Sequence, residues 1–121
     1  MYKYKAKLVR VLDGDTVDAM IDLGFDIWIK KRIRLIDIDA YEVRTRNKEE
    51  KEKGLVTKGR LEKRLALSDN EFLLVSHGTE KYGRCLGEMF VTKDYIRSDN
   101  YHGKSINKWL LAEGLVKKYG G

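Results

Sequence analysis

Polar and apolar residues alternate along the first forty positions with the two-residue rhythm of half-buried strands. "YKYKAKLVRVL" alternates, Asp13-Gly14 forms a turn, and "TVDAMIDL" alternates again. Gly24 marks a second turn before "FDIWIKKRIRLIDID". That layout predicts three antiparallel strands in a meander, the last two joined as a hairpin. From about Asn47 to Leu67 the rhythm changes. "NKEEKEKGLVTKGRLEKRLAL" is rich in strong helix formers, and Leu55, Leu61 and Leu65 are its expected inward residues. Gly54 and Gly59 weaken its first turns, so "EEKEK" is expected as a loop. "EFLLVSH" and "RCLGEMFV" predict two more strands around the turn "GTEKYG". "TKDYIRSDNYHGKS" is polar and irregular, and "SINKWLLAEGL" predicts a short helix, capped by Ser105 and stopped at Gly114.

Five strands with one helix between the third and fourth and one near the C-terminus make a mainly β, α+β inventory. A small five-stranded Greek-key barrel of the OB type satisfies it and closes its own edges. With 121 residues, one domain over 1–121 with one core is expected, and a monomer. No stretch is long and apolar enough to span a bilayer, and the N-terminal segment has no signal-peptide core. No membrane role is expected, and the protein is expected to be cytoplasmic or phage-encoded. The single cysteine, Cys85, rules out an internal disulfide and is expected as a small buried filler. A net charge of +6 and a pI near 9.4 favour a polyanionic partner, nucleic acid first.

Three places carry polar residues that folding alone does not demand. "LDGDTV" sets Asp13 in an Asp-Gly turn, where it reads as structural, and Asp15 at the entrance to a strand. In "RLIDIDAYE", Arg34 and Asp39 fall on opposite faces of a straight strand, so they can meet one ligand only if the chain bends. The expected bend is near Asp39-Ala40. "EKYGR" places Lys81, Tyr82 and Arg84 around one glycine, either as a plain charged turn or as a phosphate grip. Carboxylates with a backbone carbonyl suit Ca²⁺ or Mg²⁺, and paired arginines suit a phosphate. His77 and His102 are too few and too far apart for a zinc site. There is no Ser-His-Asp order, Walker loop or dinucleotide fingerprint.

"DGDTV", "RLIDIDAYE" and "EKYGR", in that order and followed by "INKWLLAEGLVKKY", resemble the staphylococcal nuclease (thermonuclease) family. The resemblance runs over about residues 5 to 118, and the compact length resembles phage or prophage members. It implies a Ca²⁺-dependent enzyme that cuts DNA and RNA at the 5′ oxygen with little sequence preference, leaving 3′-phosphate ends. It further implies Asp15, Asp39 and the carbonyl of Ala40 as Ca²⁺ ligands. Glu42 would handle the attacking water, Arg34 and Arg84 the scissile phosphate, and Lys81 and Tyr82 the neighbouring phosphate. A family proline is replaced by Tyr41, and a common glycine by Asp37. Tyr119 stands close to the place of a substrate-side tyrosine. The competing reading is a non-catalytic OB-type module binding nucleic acid or protein, against which the intact set of acids and arginines argues.

Overall fold

The computed structural model describes residues 2–91 and 104–119. The opening alternation is realised as β1 (Tyr2–Asp13), β2 (Thr16–Asp22) and β3 (Trp28–Leu35), paired antiparallel in sequence order. A two-residue strand β4 (Ile38–Asp39) follows, then helix α1 (Lys48–Ala66), β5 (Glu71–Thr79), β6 (Cys85–Phe90), helix α2 (Ile106–Ala112) and a second two-residue strand β7 (Lys117–Lys118). The barrel closes in the order β1-β2-β3-β6-β5, with β5 returning to pair with β1. Only the β3–β6 contact is parallel among these pairs, because a closed ring of five strands cannot alternate direction all the way round. This is the expected OB-type α+β barrel, with α1 between its third and fourth strands. His102 and most of the irregular polar stretch lie outside the described residues.

The core fills the barrel with Val17, Ala19, Ile33, Leu35, Leu74 and Met89, and α1 and α2 cap it with Leu61, Leu65 and Leu110. Two expectations for α1 are corrected. Leu55 is half exposed, and the buried line is Gly54, Thr57, Leu61 and Leu65, at the three- and four-residue spacing of one helix face. Leu55 sits one residue off that line, about 100° around the axis. "EEKEK" is helical from its start. Asn47 caps the helix by accepting from the Glu50 N–H at 3.2 Å, and Glu49 and Glu50 occupy the positive end of the helix dipole. Those local gains outweigh the two glycines.

At α2 the expectation holds. Ser105 accepts from the Lys108 N–H at 3.1 Å, and Gly114 ends the helix with a left-handed φ of 70°. Beyond it the chain pairs β7 with β4, joining Ile38 to Lys118 and Asp39 to Lys117, which the sequence pattern did not suggest. Cys85 is half-buried rather than fully so, with its sulfur 3.6 Å from the Ser76 hydroxyl. His77 is paired with Glu88 at 2.8 Å. Among the described residues no helix is long and apolar enough to cross a membrane.

Candidate active site

The site begins at the β1–β2 turn. Gly14 is required there, because an added Cβ would overlap the Thr57 methyl group of α1 and lie 3.3 Å from the Ala40 Cβ. The turn is thereby pressed between the helix and the segment after β4. Asp15 follows, almost fully buried. Its Oδ1 accepts from the Thr16 hydroxyl at 2.8 Å, and its Oδ2 accepts from the Ala40 N–H at 2.8 Å. One carboxylate therefore pins together two segments 25 residues apart. Arg34, opposite Thr16 in the β2–β3 register, donates from Nη1 to the Leu35 carbonyl at 2.8 Å. Its Nη2 lies 3.4 Å from Asp15 Oδ2 and 3.6 Å from Asp39 Oδ1.

The bend that lets Arg34 and Asp39 meet is not near Ala40. It is the turn at Ile36-Asp37, where Asp37 takes a left-handed φ of 69°. Aspartate tolerates that region better than most side chains, and a glycine would adopt it freely. The turn ends β3 and reverses the alternation, so Ile38 enters the core while Asp39 stays half exposed.

Arg84 comes from the β5–β6 turn. Glu80 organises that turn, accepting from the Tyr82 N–H at 3.0 Å, the Arg84 N–H at 2.8 Å and Arg84 Nη2 at 3.1 Å. The Arg84 side chain holds the Glu80 carboxyl below its ordinary range, and the same bond pushes the guanidinium up. Arg84 Nε is buried with no hydrogen-bond partner among the described residues, an orphaned donor in need of an acceptor.

Two cavities share Arg34 and Arg84. One, of about 220 Å³, is lined by Asp13, Asp15, Thr16, Asp39, Ala40, Tyr41 and Glu42 besides the two arginines. The other, of about 550 Å³, adds Ile36, Lys81, Tyr82, Leu86 and Tyr119. The guanidiniums line both a carboxylate-walled hollow and a largely apolar one that carries the rings of Tyr82 and Tyr119. Burial, then the negative charges of Asp15 and Glu42, push the Asp13 carboxyl up. Asp13 thus belongs to the acidic hollow and is more than a turn residue.

Among the described residues no three His, Cys, Asp or Glu side chains close on one point tightly enough to hold a metal by themselves. The donor chemistry nevertheless fits a hard cation. Facing the two guanidiniums, the hollow carries Asp13, Asp15, Asp39 and Glu42, whose carboxylates keep spare lone pairs, and the burial and crowding of negative charge at Asp13 are what a positive ion relieves.

Residues 32–120 match the family model described as staphylococcal nuclease homologue. The chain belongs to this family. Protein ParB of Escherichia coli is 30% identical over 115 residues, covering 95% of this chain and 57% of that protein. Micrococcal nuclease of Shigella flexneri is 28% identical over 118 residues, covering 96% of this chain and 59% of that protein. The chain spans less than three-fifths of the length of these two relatives.

In this nuclease homologue the sequence-predicted residues converge. Asp15, Arg34, Asp39, Ala40, Glu42 and Arg84 line one hollow, and Lys81 and Tyr82 line the adjoining one. Tyr41 also has a visible purchase. Two ammonium groups lie over its ring, Lys53 at 5.3 Å and Lys117 at 5.2 Å from the centroid. Sequence reasoning missed Asp13 and Glu80, and left Tyr119 only near its place. Asp13 looked like ordinary turn chemistry, and the Asp13/Asp15 pair was the available signal. Tyr119 is delivered by the β4–β7 pairing, with its N–H on the Asp37 carbonyl at 3.1 Å and its ring 5.7 Å from the Arg34 guanidinium.

Proposed function

We propose that this chain is a Ca²⁺-dependent nuclease that hydrolyses DNA and RNA at the 5′ P–O bond, leaving 3′-phosphate ends with little sequence preference. The observation that carries the proposal is the placement of two guanidiniums, Arg34 and Arg84, in the lining of both a carboxylate hollow and a largely apolar one that carries Tyr82 and Tyr119. A phosphodiester spanning the two would set its phosphate against the arginines and its sugar and base against Tyr82 and Tyr119.

Asp15, Asp39 and the Ala40 carbonyl would hold the Ca²⁺, with water completing its shell. When bound, the ion supplies Lewis-acid neutralisation of phosphate charge. The chain's own residues do the rest. Glu42 accepts a proton from the water whose oxygen bonds to phosphorus as the P–O5′ bond opposite it breaks, and the departing 5′ oxygen takes a proton from solvent to leave as a hydroxyl. Arg34 and Arg84 hold the equatorial oxygens, where negative charge accumulates. Glu80 keeps Arg84 aimed, so little reorganisation is needed as the charge develops. Lys81 and Tyr82 contact the adjacent phosphate. A mechanism reading phosphates rather than base edges accounts for weak sequence preference.

The test is cleavage of plasmid DNA and of RNA in Ca²⁺, Mg²⁺ or chelator. Wild type is expected to cut in Ca²⁺ and not in chelator. Arg84→Ala and Glu42→Gln are each expected to lose about 10²–10³-fold in rate. Equal behaviour of all three proteins, or 5′-phosphate products, would overturn the assignment.

A further inference from the structure

The face of β3 that carries Arg34 into the site does not end there. Two-residue alternation places Arg32, Lys30 and Trp28 on the same outward side, while Ile33 faces the core. Each step along this face is about 7 Å. Across the sheet, Arg32 lies opposite Asp18 and Lys30 opposite Met20, and on β1 these meet Arg10 and Lys7. The outer face of the meander is therefore a strip in which basic side chains outnumber the two acids Asp18 and Asp22; it starts at the reaction site and ends at a half-exposed indole, Trp28 at 48%, opposite Asp22.

The strip is built rather than merely charged. Asp18, 3% exposed, accepts from Arg10 Nε at 3.0 Å, Arg32 Nε at 2.9 Å and Arg32 Nη2 at 3.2 Å. One buried carboxylate holds two guanidiniums side by side. Their side chains remain 61% and 46% exposed, and the outer nitrogens have no other partner among the described residues. The exposed Lys7 and Lys30 extend the positive surface beyond the clamp.

We infer that the outer face of β1–β2–β3 is a binding track for single-stranded polynucleotide. On it Arg10, Arg32 and Lys30 grip successive phosphates, and Trp28 stacks on an unpaired base. Cations spaced along an extended backbone with an aromatic platform are what single strands recognise without regard to sequence. The face is anchored at the site, so the strand it holds is the one being cut. The track thus deepens the nuclease reading and rests on it for its consequence.

The test compares wild type with Trp28→Ala/Lys30→Gln and with Arg10→Gln/Lys30→Gln. All of these positions are exposed, and the second variant leaves the two Arg32–Asp18 bonds intact. Cleavage is measured on a dinucleotide, too short to reach the strip, and on a long single-stranded oligonucleotide. Binding of the long strand is measured by fluorescence polarisation in chelator. The ratio of kcat/KM for long over short substrate is expected to fall about tenfold in each variant. In the Arg10→Gln/Lys30→Gln variant the slope of log Kd against log salt should shrink by about one for each phosphate no longer gripped. An unchanged ratio together with unchanged binding would overturn the track. If wild type cuts neither substrate, the nuclease reading fails, and binding in chelator still decides the track.

Discussion

Tyr41 stands where the resemblance to the nuclease family implies a proline, and its surroundings show what holds the segment in its place. A proline before Glu42 would restrict the backbone by fixing φ. Here the ring is held by Lys53 of α1 and Lys117 of β7, so the restraint moves from the backbone to the side chain. Removing the ring should release the segment that aims Glu42. Tyr41→Ala is expected to lose about 10–100-fold in kcat. Tyr41→Phe keeps the ring and should stay within about twofold of wild type. Equal loss in both variants would place the effect in the hydroxyl instead. Asp18 makes a second residue-scale prediction. Its carboxyl is lowered from 3.8 to about 2, first by the Arg32 hydrogen bond. A depressed folded-state value means stability is gained above the unfolded pKa and lost as pH falls through the folded one. Asp18→Asn should therefore lower urea stability by about 1–3 kcal/mol at neutral pH. The gap to wild type should close as pH falls from about 4 to about 2.

At the scale of elements, α1 holds the site from beneath. A Cβ at Gly54 would lie 2.7 Å from the Tyr41 carbonyl and 2.8 Å from Val43, the two residues flanking Glu42. The helix and the Glu42 segment touch backbone to backbone, and only glycine allows that approach. Gly59, in the same helix, has nothing within 4 Å of its added Cβ. The two positions separate propensity from packing. Gly59→Ala should raise stability by about 0.5–1 kcal/mol with unchanged cleavage. Gly54→Ala should lower it by about 1–3 kcal/mol despite the same propensity gain, and lower kcat as Glu42 shifts. Urea melts and initial rates on the same samples check both. A stabilised, fully active Gly54→Ala protein would show that the contact does not position the carboxylate.

At the scale of the whole molecule, closure depends on long-range polar connections. Asn107, 4% exposed at the start of α2, donates to the Ile36 carbonyl at 3.0 Å and the Gly87 carbonyl at 3.1 Å, and accepts from the Met89 N–H at 3.2 Å. It satisfies backbone groups just where β3 leaves β6 for the Asp37 turn. Asn107→Ala should lower stability by about 2–3 kcal/mol, read as a lower urea midpoint, because it strands buried donors and acceptors. Local chemistry is what the sequence by itself determined. Period-two alternation marked the first three barrel strands, the segments flanking "GTEKYG" marked the other two, Ser105 and Gly114 bounded α2, and the acids and arginines of "DGDTV", "RLIDIDAYE" and "EKYGR" stood in recognisable order. Such features depend on neighbours a few residues away. Contacts between distant segments escaped it. Tertiary structure alone decided that the bend falls at Asp37, that Asp13 joins the acidic hollow, and that Glu80 aims Arg84. It alone delivered Tyr119 through the β4–β7 pairing. Asp15 bonds the Ala40 N–H across 25 residues and Asn107 the Ile36 carbonyl across 71. Which distant groups meet depends on how the barrel closes, and no local pattern of side chains encodes that.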